Sequence, residues 1–247
     1  MKFSIITSTL NCKEVIQNCL DSTWQQSFTN IEHIFIDGAS DDGTLEILQQ
    51  IRNRDIKIIS EPDLGIYDAM NKGINHATGE VIGFLNADDM LYDEKVLERI
   101  AECFKDDSLD AVYGDLVYVK RNDINHISRI WHSKDYQKEI FKKGWHPPHP
   151  TFYVRKKIYD KYGVFNLKYK IAADYELMLR FIHKYQIKVK YLPKMLIKMR
   201  LGGTSNISIK NILRANYECM QSWKDNGFSP PYFGLMRKPL SKIVQYF

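Results

Sequence analysis

Two adjacent carboxylates, Asp88 and Asp89, follow a short apolar run at residues 81–85. Neighbouring acids repel each other unless a cation or strong solvation compensates their charge. Mn²⁺ and Mg²⁺ prefer oxygen ligands, and Mg²⁺ is often held by one or two protein carboxylates together with substrate phosphates. The pair therefore indicates a divalent-metal site. A cap for the following helix is the weaker alternative, because Asp93 is also available for that role.

Other polar side chains follow the neighbouring apolar runs, where the chain is predicted to leave a strand. Asn11 follows the first run, Asp37 closes the second, and Glu61 follows the third. An acid at the position of Asp37 commonly accepts hydrogen bonds from ribose hydroxyls or a base N–H. A turn residue is an equally good interpretation of Asp37, because Asp and Gly favour turns. For Asp174, near the start of a predicted helix, the helix dipole explains an acid without any function.

The elements that must position these residues alternate between two periodicities. Short apolar runs rich in branched residues predict strands at 3–10, 31–36, 56–59 and 81–85, and helical faces predict a helix after each of them. This order predicts an α/β fold with a mostly parallel sheet and right-handed crossovers. Because ligands bind beyond the carboxyl ends of such strands, the polar clusters are expected to share one edge of the sheet.

After residue 110 the pattern changes. Residues 111–119 and 128–132 predict longer, partly exposed strands, 189–199 predicts a further strand, and 172–185 and 209–223 predict helices. Between them, Trp145-His146-Pro147-Pro148-His149-Pro150 is a stiff segment that is incompatible with a helix. The change near residue 110 therefore marks a boundary between two parts of the chain.

The loop after the first strand, Thr9-Leu10-Asn11-Cys12-Lys13-Glu14, contains no glycine. Dinucleotide-binding units need glycines there so that the backbone can cradle a pyrophosphate. The sequence also lacks the GxxxxGK[ST] pattern of P-loop proteins. A classical NAD enzyme and a P-loop ATPase are therefore disfavoured.

Charge is distributed unevenly over the 247 residues, although the net charge is only +5. Residues 1–100 carry 8 Lys and Arg against 17 Asp and Glu, whereas residues 190–247 carry 10 against 2. The acidic part suits a divalent cation, and the basic part suits phosphates or an anionic surface. A solvated basic face without a partner is the alternative. With no recognisable signal peptide or membrane-spanning run, and four scattered cysteines, a cytoplasmic protein with reduced thiols is expected.

Four motifs then identify a family by their order and spacing. They are Ser8-Thr9-Leu10-Asn11, Ile36-Asp37-Gly38-Ala39-Ser40-Asp41-Asp42-Gly43-Thr44, Gly65-Ile66-Tyr67-Asp68-Ala69-Met70-Asn71-Lys72-Gly73 and Leu85-Asn86-Ala87-Asp88-Asp89. Together they make residues 2–205 resemble the inverting family-2 glycosyltransferases. The resemblance implies a GT-A fold, a Rossmann-like, mostly parallel sheet flanked by helices. It implies a catalytic domain at 1–205, with a nucleotide-sugar part at 1–109 and an acceptor part at 110–205, and a basic helical tail at 206–247.

The resemblance also implies a role for each matching residue. The donor-binding residues are expected to be Thr9, Asn11, Asp37, Glu61, Asp63, Lys72, Asn86, Asp88 and Arg200, the last in a loop that closes over the diphosphate. Asp89, with Asp88 beside it, is expected to bind Mn²⁺ or Mg²⁺, and Asp174 to be the general base. Trp145 and His149 are expected to contact the acceptor or the diphosphate. Relatives often carry Asp at the position of Asn86 and Glu at that of Ala173, so this chain departs from the pattern twice.

The implied reaction moves a hexose-type sugar from a nucleotide-diphosphate sugar to a hydroxyl of a glycan or lipid-linked saccharide, with inversion. A UDP-sugar is the favoured donor. One alternative is a sugar nucleotidyltransferase, which would want a glycine-rich basic loop after the first strand. Another is a nucleic-acid-binding protein, which needs exposed aromatic residues among its basic ones. Most aromatic residues here have the sequence spacing of buried core positions, so no nucleic-acid partner is expected.

The C-terminal tail is predicted to be amphipathic. After Pro230 and Pro231, one helical face carries Leu240, Ile243, Val244 and Phe247, with Lys238 and Lys242 nearby. A short basic helix of this kind can lie in an anionic membrane interface. Packing of the tail against the domain is the alternative. The first interpretation predicts peripheral contact with the inner face of the cell membrane.

Overall fold

The computed structural model describes residues 1–52, 54–202 and 209–231, and the structural statements below concern these residues. In the first half, strands and helices alternate as predicted. The elements are β1 (Phe3–Thr9), α1 (Ile16–Trp24), β2 (Ile31–Asp37), α2 (Thr44–Gln49), β3 (Ile56–Ser60), α3 (Ile66–His76), β4 (Val81–Phe84), β5 (Met90–Leu91) and α4 (Val96–Cys103). Only the short strand β5 was not predicted.

The second half is more irregular. It contains β6 (Ala111–Lys120), β7 (Asp123–Trp131), 3₁₀ turns at Phe141–Lys143 and His149–Thr151, β8 (Tyr153–Arg155), α5 (Lys156–Tyr162), α6 (Ala173–Met178), a π-helical segment (Leu179–Lys184), β9 (Val189–Arg200) and α7 (Ile209–Asp225). The sequence predicted neither β8 nor α5. Both are too short for hydrophobic periodicity to distinguish them from a loop.

All the described strands belong to one sheet, in the order β3-β2-β1-β4-β8-β6-β9-β5, with β7 paired to β6. β1 is parallel to β2 and β4, β2 to β3, and β6 to β9. β8 is antiparallel to both β4 and β6, so β6 runs in the direction of β4. Six strands therefore end at the same carboxyl edge, and the predicted α/β fold with a mostly parallel sheet is confirmed.

β6 differs from the prediction of a partly exposed strand, because its residues from Ala111 to Val119 are all buried. Ala111 and Tyr113 contribute to the apolar core on one face of the sheet, and Val112 and Leu116 to the core on the other. A strand that packs on both faces reads as a continuous apolar run. Exposure is instead concentrated in β7, at the edge of the sheet.

The predicted helix at 172–185 is not a single α-helix. After Met178 it widens into the π-helical segment, where the Tyr185 N–H donates to the Arg180 carbonyl, five residues earlier. The Arg180 guanidinium also pairs with Glu176 and donates to the carbonyl oxygens of the α5–α6 loop. The inward positions were predicted correctly and are buried: Leu177, Met178, Phe181 and Ile182.

Two apolar cores sandwich the sheet. One packs α3, α5, α6 and α7 against one face, and the other packs α1, α2 and α4 against the opposite face. Within the described ranges, no helix combines the length and the apolar character needed to cross a membrane.

Gly73, in the middle of α3, lets this helix lie close to β1. A Cβ atom at Gly73 would lie only 2.3 Å from Cγ2 of Ile6, a buried, branched side chain. Gly73→Ala is therefore expected to lower the free energy of unfolding by about 1–3 kcal/mol, because overpacking outweighs the helix propensity of Ala. Urea denaturation measures the change, with Asn75→Ala on the exposed side of α3 as the control. Unchanged or increased stability of Gly73→Ala would contradict this close packing.

Candidate active site

The carboxyl edge of the sheet gathers the loops that carry the predicted site residues. Asn11 follows β1, Asp37 ends β2, Glu61 follows β3, and residues 85–89 follow β4. Arg200 ends β9, which runs in the same direction through its parallel pairing with β6. In sheets of this type the loops at the carboxyl edge form the ligand-binding crevice. This edge is therefore the candidate active site.

Asp37 is fully buried and organises the loop that follows β2. One carboxylate oxygen accepts hydrogen bonds from the hydroxyls of Thr9 (3.1 Å) and Ser40 (2.5 Å). The other accepts from the Ser40 backbone N–H (3.0 Å) and the Ser60 hydroxyl (2.7 Å). Burial alone would raise the pKa of Asp37, but these hydrogen bonds outweigh it and hold the pKa below its usual value. A base or ribose group would have to replace one of these hydroxyl donors.

Asn11 connects the loops after β1 and β2. Its backbone adopts a positive φ of 49°, a conformation that Asn tolerates better than most residues. The Asn11 N–H donates to the Ser40 hydroxyl (2.9 Å), and its side-chain oxygen accepts from the Asp41 N–H (3.0 Å). The predicted donor-binding residues Thr9, Asn11 and Asp37 thus belong to one hydrogen-bonded unit.

Lys72 of α3 joins the predicted residues of the loop after β3. Its ammonium group forms an ion pair with Glu61 (2.7 Å) and donates to the Pro62 carbonyl (2.9 Å). The hydrogen bond to Glu61 raises the pKa of Lys72. In the same loop, Asp63 accepts the Gly65 N–H (2.8 Å) just before α3 begins. The structure thus brings Glu61, Asp63 and Lys72 together.

Asp88 and Asp89 differ sharply in their surroundings. Asp89 is 1% exposed, and its two oxygens accept from the Asn86 side-chain amide (2.9 Å) and the Arg200 backbone N–H (3.1 Å). Burial and the neighbouring charge of Asp88 raise the pKa of Asp89. Asp88 is half-buried, and its carboxylate accepts no hydrogen bond from any described residue. Asp93 accepts the Lys95 N–H (2.9 Å) before α4, but the N-cap of this helix is Lys95 and it has no side-chain cap, so the predicted capping role of Asp93 is not observed.

These carboxylates fit a hard divalent cation in one respect and not in another. Their oxygens are the ligands that Mg²⁺ and Mn²⁺ prefer, and Asp88 is free to bind one. In the part of the chain that the structure describes, no three His, Cys, Asp or Glu side chains form a metal-binding group. The protein thus supplies two carboxylates, and a bound substrate would have to supply further oxygen ligands.

Arg200, which was expected to contact the diphosphate, is only 6% exposed, and its guanidinium group forms hydrogen bonds to other protein groups. Its three guanidinium nitrogens donate to the Asp88 carbonyl (2.9 Å), the Arg121 carbonyl (2.5 Å) and the Asn18 side chain (2.5 Å). With its backbone N–H on Asp89, Arg200 holds the 85–89 loop at two points. A phosphate contact would require the guanidinium to exchange these partners. The rest of its predicted loop, residues 203–205, lies outside the described residues.

Asp174, the predicted general base, lies half-buried in the first turn of α6. The Tyr67 hydroxyl lies 3.2 Å from one carboxylate oxygen of Asp174 and 2.8 Å from the Ile171 carbonyl. Tyr67 is in the first turn of α3, which begins at the carboxyl edge, so Asp174 reaches the same edge as the Asp88–Asp89 loop. Ala173, where relatives often have Glu, is fully buried in the core.

His149 lies close to Asp174, in the 3₁₀ turn that ends the Pro-rich segment. It is 8% exposed and stacks on Phe84, with ring centroids 5.5 Å apart. Burial lowers the pKa of His149, although the nearby charge of Asp174 acts in the opposite direction. Its Nε2 atom is buried and has no hydrogen-bond partner among the described residues. A neutral imidazole with a free ring nitrogen suits a ligand contact.

Trp145, the other predicted acceptor residue, belongs to an aromatic cluster beside Asp174. Its ring lies 6.0 Å from those of Tyr113 and Phe141, and its indole N–H has no partner within the described ranges. His146, next to it, lies edge-on to Tyr175 at 5.4 Å. Tyr113, Phe141 and Tyr175 are buried in the core, so the cluster leaves only Trp145 and His146 partly exposed near the predicted base.

Three residues with contacts in or around this site were not singled out from the sequence. Tyr67 lies in a motif but showed no sign of contacting Asp174. Glu218 of α7 accepts hydrogen bonds from the backbone N–H groups of residues 170–172, just before α6. The sequence shows only an acid in a helix, four residues after Arg214, and this pattern does not predict the contact. Asp115, a single acid inside the apolar run of β6, did carry a signal, because buried strands rarely contain an unpaired charge.

Comparison with known proteins places the chain among sugar-transferring enzymes. The family model "Glycosyl transferase family 2" matches residues 4–163. A PGL/p-HBAD biosynthesis glycosyltransferase of Mycobacterium bovis is 32% identical over 209 residues, which is 83% of this chain and 79% of the relative. The chondroitin synthase of Pasteurella multocida is 30% identical over 214 residues, which is 85% of this chain and 21% of that protein.

Solved structures show a similar fold at lower sequence identity. Residues 1–349 of S. aureus TarS, in complex with UDP, have a TM-score of 0.68 and 20% identity, covering 94% of this chain and 68% of that TarS chain. The mannosyltransferase PcManGT of Pyrobaculum calidifontis, in complex with GDP-Man and Mn²⁺, has a TM-score of 0.67 and 18% identity, covering 96% of this chain and 68% of PcManGT. These similarities agree with the GT-A fold predicted from the motifs.

Proposed function

The chain belongs to glycosyl transferase family 2, and on that premise we propose that it moves a hexose-type sugar from a nucleotide-diphosphate sugar to an acceptor hydroxyl, with inversion. One observation supports the proposal, namely that the Asp88–Asp89 pair and the single carboxylate of Asp174 lie towards the same edge of the sheet. The Asp88–Asp89 pair follows β4, and Asp174 reaches the same edge through Tyr67. The pair suits a cation bound to the departing diphosphate, and Asp174 suits a proton leaving the acceptor.

Asp174 would act as the general base in a single displacement. Its carboxylate accepts the proton of the acceptor hydroxyl while the hydroxyl oxygen bonds to the anomeric carbon of the sugar. The bond between that carbon and the diphosphate oxygen breaks in the same step, so the anomeric configuration inverts. Tyr67 supports this role, since its hydroxyl lies against both Asp174 and the loop before α6.

Mn²⁺ or Mg²⁺ is the proposed cofactor, held by Asp88 and Asp89 together with donor phosphates. Once bound, the cation would neutralise negative charge on the departing nucleoside diphosphate. Asn86 would contribute indirectly, because its amide donates to Asp89, which an Asp at this position could not do. Arg200 would likewise act by holding the loop of Asp88 and Asp89.

The donor nucleotide is proposed to lie against the loops after β1, β2 and β3. Thr9, Asn11 and Asp37 would face the base and ribose, and Glu61, Asp63 and Lys72 would border the nucleotide. The favoured donor is a UDP-sugar. Complexes of the similarly folded TarS with UDP and with UDP-GlcNAc support this choice, whereas PcManGT was crystallised with GDP-Man.

A thermal-shift screen of UDP-, GDP- and dTDP-sugars, with and without Mn²⁺, tests the donor and the metal together. At about 100 times the dissociation constant, a ligand adds about 2.7 kcal/mol of stability. For a chain of this size that corresponds to a rise in Tm of about 5–10 °C. We expect this rise with a UDP-sugar plus Mn²⁺ and a much smaller one without the metal. A larger shift with GDP- or dTDP-sugars would overturn the UDP preference, and no shift with any donor would contradict the proposed function.

The acceptor is proposed to be a glycan or a lipid-linked saccharide bound beside Asp174. Among the described residues, neither Nε2 of His149 nor the indole N–H of Trp145 has a hydrogen-bond partner. Unpaired buried polar atoms are costly, so a ligand that satisfies them gains affinity. These two residues would therefore orient the acceptor hydroxyl towards Asp174.

Peripheral membrane contact through residues 232–247 is proposed for the lipid-linked case, although these residues lie outside the described ranges. The segment contains Arg237, Lys238 and Lys242. Each basic residue near an anionic membrane contributes about 1 kcal/mol, so removing residues 232–247 is expected to weaken binding to anionic liposomes by about 100-fold. Co-sedimentation with phosphatidylserine-containing liposomes measures this, with neutral liposomes as the control. Equal sedimentation of the shortened chain would contradict the membrane role.

A further inference from the structure

One edge of β6 has a gap in its strand pairing, close to the aromatic cluster, and this gap is called the opening below. β9 pairs with β6 from Ala111 to Val119 and so occupies one edge of the strand. On the other edge β8 pairs with residues 111–112 and β7 with residues 116–120. Residues 113–115 therefore have no strand partner on that side. The chain leaves β7 before residue 132 and returns to β8 at residue 153, so the segment between them closes over this opening.

Asp115 lies in this opening, and its carboxylate is held by three donors. One oxygen accepts from the Ser133 N–H (2.7 Å) and the Tyr191 hydroxyl (2.9 Å), and the other faces Nδ1 of His132 (3.0 Å). The side chain of Asp115 is only 5% exposed. The β6–β9 register shifts on both sides of Asp115, and such bulges re-aim side chains, often next to active sites.

His132 is the exposed partner in this arrangement. Its side chain is 66% exposed, whereas the carboxylate behind it is buried. Because an ionised carboxylate can only accept, Nδ1 of His132 must carry the proton that faces Asp115. The other ring nitrogen, Nε2, bonds to none of the described residues and has a lone pair when the ring is neutral. Asp115 thus fixes both the tautomer and the orientation of His132.

The position of His132 connects it to the proposed active site. Trp131, the preceding residue, lies edge-on to His146 at 5.5 Å, and His146 lies 5.4 Å from Tyr175, the neighbour of Asp174. The ring of Tyr191, whose hydroxyl holds Asp115, stacks on Tyr113 at 5.7 Å. A series of packed aromatic rings, some of them buried in the core, therefore connects the start of α6 to the Asp115–His132 pair.

From this geometry we propose that His132 binds a hydroxyl of the acceptor saccharide through Nε2, with Asp115 as the residue that positions it. The proposal rests on the proposed function in one respect, since the bound saccharide is taken to be the acceptor. A sugar hydroxyl is the matching ligand, because it donates one hydrogen bond to a neutral ring nitrogen at an exposed position. This contact lies apart from the reacting hydroxyl and would select which saccharide is used.

The test compares His132→Ala, Asp115→Asn and the control His126→Ala, an exposed histidine on the same strand β7. Binding to a printed array of hexose-containing oligosaccharides is measured first, without any donor. Transfer kinetics then use the sugar nucleotide that stabilises the protein most and the saccharide that binds best. Loss of one hydrogen bond is expected to weaken saccharide binding about 10-fold in His132→Ala and to raise the acceptor KM by about the same factor. The donor KM of His132→Ala is expected to stay within about twofold of the wild type, since the lost contact is made to the acceptor. All values for His126→Ala are expected to stay within the same limit, since that change leaves the contact intact.

The outcomes separate this inference from the proposed function. If His132→Ala bound saccharides as tightly as the wild type and had the same acceptor KM, the proposed role of His132 would be overturned, even if sugar transfer is confirmed. A wild-type protein that binds saccharides through His132 but transfers no sugar would leave the inference standing and overturn the proposed function. A wild-type protein that binds no saccharide would overturn the inference. Asp115→Asn should reproduce the loss of binding in part, because an amide holds the imidazole less firmly than a carboxylate does.

Discussion

Asp174→Asn is expected to lower kcat for sugar transfer by about 10²–10⁴-fold, because the amide cannot accept the proton of the acceptor hydroxyl. The KM of the donor should change little, since the donor is proposed to bind at the loops after β1–β4. The variant should fold, because Asp174 contributes to α6 mainly through the helix dipole, at about 0.3–1 kcal/mol. Steady-state transfer assays with the best donor from the thermal-shift screen measure the effect. Asp160→Asn, in the exposed part of α5, is the matched control.

Retention of wild-type kcat in Asp174→Asn would show that another group takes the proton. His149 is then the first candidate, because its neutral ring and unpartnered Nε2 lie close to Asp174. His149→Gln discriminates between the two residues. If Asp174 is the base, His149→Gln should raise the acceptor KM more than it lowers kcat. A large fall in kcat in His149→Gln, with Asp174→Asn still active, would move the base assignment to His149.

Asp89→Asn is expected to reduce metal-dependent transfer by about 10³-fold while stabilising the protein without metal. A metal ligand that holds the cation next to the negative charge developing on the leaving group typically stabilises the transition state by several kcal/mol. In the absence of a cation, however, the buried Asp89 carboxylate lies beside Asp88, so replacing it with a neutral amide removes repulsion and desolvation. The Asn oxygen can still accept the Arg200 N–H, and its NH2 group can donate to Asn86 once the Asn86 amide turns to present its oxygen. The gain in the free energy of unfolding is expected to be about 1 kcal/mol or more, as for other functional residues held at a cost in stability.

Two measurements check this prediction. Urea denaturation with EDTA gives the stability without metal, and thermal shift with Mn²⁺ and donor gives the stabilisation by the metal. Asp107→Asn, at an almost fully exposed residue that pairs with Arg155, is the control and should change neither quantity. If Asp89→Asn kept both its activity and its Mn²⁺-dependent shift, Asp89 would not be a ligand. Asp88→Asn would then be tested in its place, because its carboxylate is the more accessible of the two.

Much of the fold could be predicted from local patterns. The strands and helices of the first half were located within a few residues, and α3 at its full length, because each strand is a short apolar run and each helix buries one periodic apolar face. The predicted cap of α4 was wrong, because Asp93 accepts the N–H of Lys95, which is itself the N-cap residue, and no N–H of the first helical turn. The prediction was less accurate after residue 110, where β8 and α5 are short and β6 is buried on both faces by elements distant in sequence.

The candidate site could be predicted only in part, for a related reason. The types of the polar residues and their positions after strands point to a crevice at the carboxyl edge. They do not say which of those side chains bond to each other. Arg200 illustrates this, because it is separated by 111 positions from Asp89, and its guanidinium is occupied by three protein acceptors. Asp37 is similarly saturated by Thr9, Ser40 and Ser60.

The sequence by itself determined the alternation of strands and helices, the family and the Asp88–Asp89 pair, because each depends on residues close together in the chain. Only the tertiary structure decided that Asp89 is buried and Asp88 accessible, that Tyr67 and Asp174 meet, and that Asp115 holds His132. The physical reason is that a polar side chain is available to a ligand only when no protein partner satisfies it. Such partners are brought together by sheet pairing and helix packing over separations of more than a hundred residues, such as the 107 between Tyr67 and Asp174 and the 182 between Asn18 and Arg200.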